Sequence, residues 1–196
     1  MKNTELPEDM LSFLMEVDKL KTVNRRAYIC KGERFENSAE HSWHVAIAVW
    51  MLTKYANISV DTERVIKMAL AHDICEIDAG DTPIYSNHRD NKFRNESACV
   101  DRIVGFAPDM LAELKSLWVE YEANLTVESK WVKVADRLLP FLHNIASCGK
   151  TWRELGISRS QVLTVNKPIS DTYPVLYKWV VDQVDMATRE GWLRDA

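Results

Sequence analysis

The stretch from Asp61 to Gly80 reads DTERVIKMALAHDICEIDAG, and its pattern decides the fold class. Asp61 is placed to cap a helix, Ile66, Ala69, Leu70 and Ile77 recur at helical spacing, and Gly80 stands where that helix should end. A carboxylate interrupts the apolar face, because Asp73 follows Ile66 by seven residues and Ala69 by four. An unpaired buried carboxylate is driven to protonate, so Asp73 calls for a cation, a metal or several hydrogen-bond donors nearby. His72 precedes it and Glu76 lies four residues after His72, which lets all three line one edge of the helix.

Working outward, the same anomaly recurs twice. Asn37 and Glu40 have capping-box spacing, which predicts a helix over 38–56 along the apolar run Val45 to Leu52, with His41 in its first turn on the face of Val45, Ala48 and Leu52. In the segment 131–139, WVKVADRLL, Asp136 stands between Val132 and Leu139 and points a second carboxylate into the core. Pro7 can open a first helix, and further helices are expected over 92–106, 108–123, 126–148 and 170–192, with Pro140 kinking or restarting the sixth. Residues 21–36 are polar, basic and unpatterned, and read as a loop. Strand-like alternation is hard to find, so the expectation is an all-α, single-domain, multi-helix bundle over 1–196.

Composition agrees and excludes several function classes. The chain of 196 residues is 46% hydrophobic and 28% charged, enough for one sizeable core. Twenty-five Lys and Arg against 29 Asp and Glu give a net charge of −4, without the basic excess that polymeric nucleic acid needs. Any nucleotide bound should be small. The longest apolar run has eight residues, too short for a membrane span, and the acidic start lacks the phases of a secretory signal, so a cytoplasmic protein is expected. Cys30, Cys75, Cys99 and Cys148 form no C-x-x-C pair and read as reduced, structural residues.

Two imidazoles and two carboxylates, from His41, His72, Asp73 and Asp136, would suit one borderline divalent cation such as Mn, Fe, Co, Ni or Zn, with Mg less natural. His44 is the rival to His41 and otherwise a core or supporting histidine, while His88 and His143 read as structural or surface residues. The seven tryptophans read as packing residues, not a stacking platform. Asp136-Arg137 could be a plain salt bridge, but that would leave His72-Asp73 unexplained.

These residues resemble the HD-domain metal-dependent phosphohydrolases, whose signature is a distant His, a His-Asp pair and a later Asp. The segments 36–42 (ENSAEHS), 71–83 (AHDICEIDAGDTP) and 134–138 (VADRL) narrow the resemblance to the bacterial 5'-deoxynucleotidase-like branch over about 20–139, with helices of 150–196 packing on that core. The segment 151–154 (TWRE) is similar to uncharacterised members of the branch. The resemblance implies that His41, His72, Asp73 and Asp136 are the metal ligands. It also implies that Glu76 takes part in proton transfer, that Asp81 with Thr82 contacts the sugar, and that Arg26 orients the phosphate. The expected reaction is hydrolysis of a nucleoside 5'-monophosphate to nucleoside and phosphate by a homodimer. The chain departs at Ala27, where the branch has a tryptophan that helps to exclude a ribose 2'-hydroxyl, so a strict deoxyribose preference does not carry over.

Two other functions compete. An HD-type di-iron oxygenase would need two additional histidines between Asp73 and Asp136, where the sequence offers only His88. A silent metal or nucleotide sensor would bind through the same residues without turnover, and the presence of Glu76, Asp81 and Arg26 argues against it.

Overall fold

The structure, a computed structural model, describes residues 8–85 and 92–195. Pro7, the acidic N-terminal start and His88 lie outside the described residues. In chain order the elements are α1 (Glu8–Asp18), β1 (Asn24–Ile29), β2 (Arg34–Asn37), α2 (Ser38–Tyr55), α3 (Thr62–Ala71), α4 (Glu76–Ala79), α5 (Lys92–Val104), α6 (Pro108–Ala123), α7 (Val127–Ala146), α8 (Lys150–Leu155), α9 (Arg159–Val165), α10 (Lys167–Thr172) and α11 (Pro174–Arg189). The class is all-α, with one short hairpin.

Local signals explain most boundaries. The capping box of α2 is formed in both directions: Asn37 Oδ1 accepts the Glu40 amide at 2.9 Å, and Glu40 Oε2 accepts the Asn37 amide at 3.1 Å. Asp61 caps α3 as expected, and Thr126 caps α7. Asn124 ends α6 in the left-handed region, where an Asn side chain is tolerated. Pro140 neither ends nor restarts its helix, since α7 runs through it.

Four expectations need correction. Residues 21–36 are not a loop: β1 and β2 pair antiparallel, with Tyr28 opposite Phe35 and their rings stacked 4.4 Å apart. The helix after Asp61 stops at Ala71, because residues 71–77 switch to i to i+3 bonds, Ile74 N–H to Ala71 O, Glu76 N–H to Asp73 O and Ile77 N–H to Ile74 O. His72 and Asp73 therefore sit on a turn between α3 and α4, and Gly80 closes α4 at φ +70. The last predicted helix, over 170–192, is two, since Pro174 opens α11 after the non-helical Tyr173, while α8 and α9 fall among the helices expected within 150–196. Finally, Trp43 is 63% exposed and Trp179 38%, so not every tryptophan packs inside, and Cys30 and Cys148 are exposed free thiols.

Helix α7 is buried on two sides, and this positions the site. Val132, Ala135 and Leu139 face a core shared with α2, α3 and α6, whereas Val134, Leu138 and Phe141 face a second core built with residues of α8 to α11. Asp136 lies between these faces, opposite the N-terminal turn of α2 and the turn after α3. No helix among the described residues is long and apolar enough to cross a membrane.

Candidate active site

Three segments bring His41, His72, Asp73 and Asp136 to one point. His41 Nε2 lies 3.1 Å from Asp136 Oδ1 and 3.9 Å from Asp73 Oδ2. His72 Nε2 lies 3.2 Å from Asp73 Oδ2 and 3.9 Å from Asp136 Oδ1. The four atoms thus alternate nitrogen and oxygen around a ring, at separations suited to ligands about 2.0–2.2 Å from one divalent cation. His41 and His72 are buried, and His72 Nε2 has no hydrogen-bond partner. An orphaned buried imidazole nitrogen facing two carboxylates is the observation that a cation explains and an ordinary core does not.

The far nitrogen fixes the tautomer of His72: Nδ1 lies 2.7 Å from Ala69 O, so it is the donor and Nε2 presents its lone pair inward. His41 Nδ1 faces Glu36 Oε2 at 3.2 Å, a carboxylate placed to support the ring once a cation displaces the proton from Nε2. Tyr121 OH donates to the other oxygen of Asp136 at 2.8 Å. Arg137 lies 3.8 Å from that same oxygen, so the Asp136-Arg137 pair exists without accounting for the buried histidines. Burial opposes ionisation of Asp73 and Asp136, but His72 and Arg25 at Asp73, and Arg137 and His41 at Asp136, hold both carboxyls below the usual range.

Above these atoms opens a cavity lined by Arg25, Arg26, Ala27, Glu76, Asp81, Thr82, Tyr85 and Lys133, among others. Glu76 Oε2 accepts a hydrogen bond from Ser38 Oγ at 2.5 Å. Burial and then the Asp73 charge push the Glu76 carboxyl well above its usual pKa, with Arg25 opposing. Burial raises Asp81 in the same way. Glu76 thus lies beside the cradle with its carboxyl pushed toward the protonated form, where sequence spacing placed it, although from the start of α4 and not from a continuous helix.

Sequence reasoning missed three neighbours. Arg25 Nη1 donates to Asp73 Oδ2 at 2.6 Å and lies 3.6 Å from both Glu76 and Asp81, while the expected Arg26 is exposed at the cavity wall. Lys133 Nζ lies 3.4 Å from the centre of the Tyr121 ring, a cation–π contact. Burial lowers the Lys133 pKa to about 8 despite the Asp136 charge. Glu36 supports His41 from behind. A basic residue three before Asp136 on an apolar helix face was the available signal for Lys133; Arg25 had none, because adjacent arginines are indistinguishable without the strand register.

Comparison with known proteins adds independent evidence. The family model described as HD domain matches residues 17–176. The chain is 34% identical over 133 residues to the 5'-deoxynucleotidase HDDC2 of Xenopus laevis, a match covering 66% of this chain and 65% of that one. It is 35% identical over 136 residues to the 5'-deoxynucleotidase hdd1 of Schizosaccharomyces pombe, covering 65% and 67%. The match thus spans about two thirds of these relatives. Among solved structures, a Magnetospirillum magnetotacticum protein described as a "Predicted metal-dependent phosphohydrolase" superposes with a TM-score of 0.88 at 40% identity, covering 95% of this chain and 94% of that one.

Proposed function

The chain belongs to the HD domain family, and from that premise we propose that it hydrolyses a phosphate monoester, a nucleoside 5'-monophosphate, using one divalent cation held by His41, His72, Asp73 and Asp136. The observation that carries this reading is the orphaned His72 Nε2 facing three further ligand atoms at the floor of a cavity that Arg25, Arg26 and Lys133 border. A cation bound there supplies Lewis-acid activation of water and neutralises charge on the phosphoryl group. Its identity within Mn, Co, Fe, Ni, Zn and Mg is left to metal analysis.

The chain's own groups complete the chemistry. Glu76, its carboxyl pushed above the usual pKa by burial and the Asp73 charge and bonded to Ser38, exchanges a proton at its carboxyl oxygen. Lys133 and Arg26 offer positive charge to phosphate oxygens, and Arg25 keeps Asp73 ionised and oriented. Asp81 and Thr82 border the same cavity and are placed for sugar hydroxyls. Ala27 contributes only a methyl to the wall, which supports acceptance of ribose as well as deoxyribose. The names of the 5'-deoxynucleotidase relatives support the nucleotide assignment.

In this reading the chain works as one domain and pairs as a homodimer, for which exposed Trp43, Ile47, Met51 and Tyr55 along α2 offer an apolar surface. Four free cysteines suit a reducing compartment such as the cytoplasm. The test is phosphate release from matched ribo- and deoxyribonucleoside monophosphates with Mn, Co, Zn or Mg added. Turnover lost together with bound metal in Asp73→Ala supports the proposal, and parent protein that carries metal yet releases no phosphate from any of them overturns it.

A further inference from the structure

Behind His41 lies a second group of ligating side chains that the proposed hydrolysis does not use and that does not line the cavity. Glu36, from β2, is only 1% exposed and divides its carboxylate among three neighbours. Oε2 faces His41 Nδ1 at 3.2 Å and Arg25 Nε at 3.7 Å, while Oε1 lies 4.0 Å from Nδ1 of His143 on α7. His44, three residues beyond His41 on α2, brings its ring within 5.7 Å of the His143 ring, centroid to centroid. One ligand atom from each of Glu36, His44 and His143 lies within 4.8 Å of the other two.

We propose that Glu36, His44 and His143 form an auxiliary site for a second divalent cation of the zinc, cobalt or nickel class, sharing the Glu36 carboxylate with the back of His41. Two imidazoles and a carboxylate on three separate elements are a donor set for borderline cations, with open positions left for water. His143 Nδ1 is buried without a hydrogen-bond partner, the polar deficit that a ligand would relieve. Burial keeps the pKa values of His44 and His143 below the ordinary histidine value, so both rings carry free lone pairs near neutrality. Supporting His41 alone would require only Oε2 and would not explain why Oε1 faces the His143 imidazole with the His44 ring beside it. The site stands on this geometry and is independent of the substrate assignment.

The test counts cations in the full chain. Cys30 and Cys148 are replaced by serine so that exposed thiols take up none, the protein is stripped, and Co(II) or Zn(II) is added and the bound equivalents measured after desalting. The parent should retain two equivalents, Asp136→Asn should lose the inner one, and His44→Gln and His143→Gln should each retain only the inner one, with the parent's circular dichroism. Should His143→Gln fail to fold, the half-buried His44→Gln carries the same count. A parent that binds one equivalent, or a folded His44→Gln that still binds two, overturns the proposal.

Discussion

Lys133 stands over the face of Tyr121 and borders the cavity, where burial holds its pKa to about 8 and an arriving phosphate would restore full charge. Lys133→Met should therefore lower kcat/KM by about 10²–10³-fold, the usual cost of removing one preorganised positive donor, without loss of the inner cation; steady-state phosphate release alongside metal content checks this. Glu76→Gln keeps the shape and the Ser38 contact but cannot exchange a proton. It should retain metal and lose about 10²–10⁴-fold in kcat, and a variant turning over at the parent rate would remove Glu76 from the proposal. His41 supplies a pH signature. Burial and Arg25 act to lower its pKa, but Asp136, Glu36 and Asp73 outweigh them and hold it at about 9 when no cation is bound. Cation and proton compete for the same nitrogen, so affinity at the inner site should rise by up to about tenfold per pH unit towards pH 9 and level off above it. Calorimetry in buffers of different ionisation enthalpy should show proton release at pH 7; none would mean the imidazole is already neutral. The four proposed inner ligands were legible because each interrupts apolar helical spacing, although His72 and Asp73 lie on the turn after α3 and not on a helix. Arg25 and Glu36 were not, because both lie in a hairpin whose inward side chains are charged and give no apolar alternation.

At the scale of elements, the capping box made α2 readable almost to the residue, and it also contributes to its stability. Asn37→Ala removes the acceptor for the Glu40 amide and should cost about 1 kcal/mol, or roughly 2–4 °C in Tm for a chain of this size. Gly149, at φ +68 just before α8, leaves no room for a side chain, since an added Cβ would come within 2.5 Å of Trp192 Cβ. Gly149→Ala should thus destabilise by about 1–3 kcal/mol through backbone strain and crowding, seen as an earlier thermal transition. The break after α3 stayed hidden because apolar spacing continues through Ile74 and Ile77 although the hydrogen bonds tighten there. Such a switch changes the backbone without changing the periodicity that sequence reading relies on. The division into α10 and α11 was signalled by Pro174, which stood inside an otherwise continuous helical pattern.

For the whole molecule, the proposed inner ligands come from α2, the turn after α3, and α7, so a cation there would bind the folded chain and not the unfolded one. At a free concentration about 100 times its dissociation constant it should add about 2.7 kcal/mol, raising Tm by roughly 5–11 °C. Differential scanning calorimetry with and without metal measures this, and Asp136→Asn should abolish most of the rise. The short helix α8 has a separate part in the architecture. Thr151 Oγ1 donates to Arg26 O at 3.0 Å, and Trp152 Nε1 donates to Tyr85 OH at 3.1 Å. One six-residue helix thereby clasps both lips of the cavity, the strand on one side and the segment after Asp81 on the other. Because these two bonds run to Arg26 and Tyr85 and not to the four proposed ligands, drift in the sequence of α8 can widen or narrow the entrance while the proposed metal centre stays as it is, a route by which closely related chains could come to accept differently shaped esters.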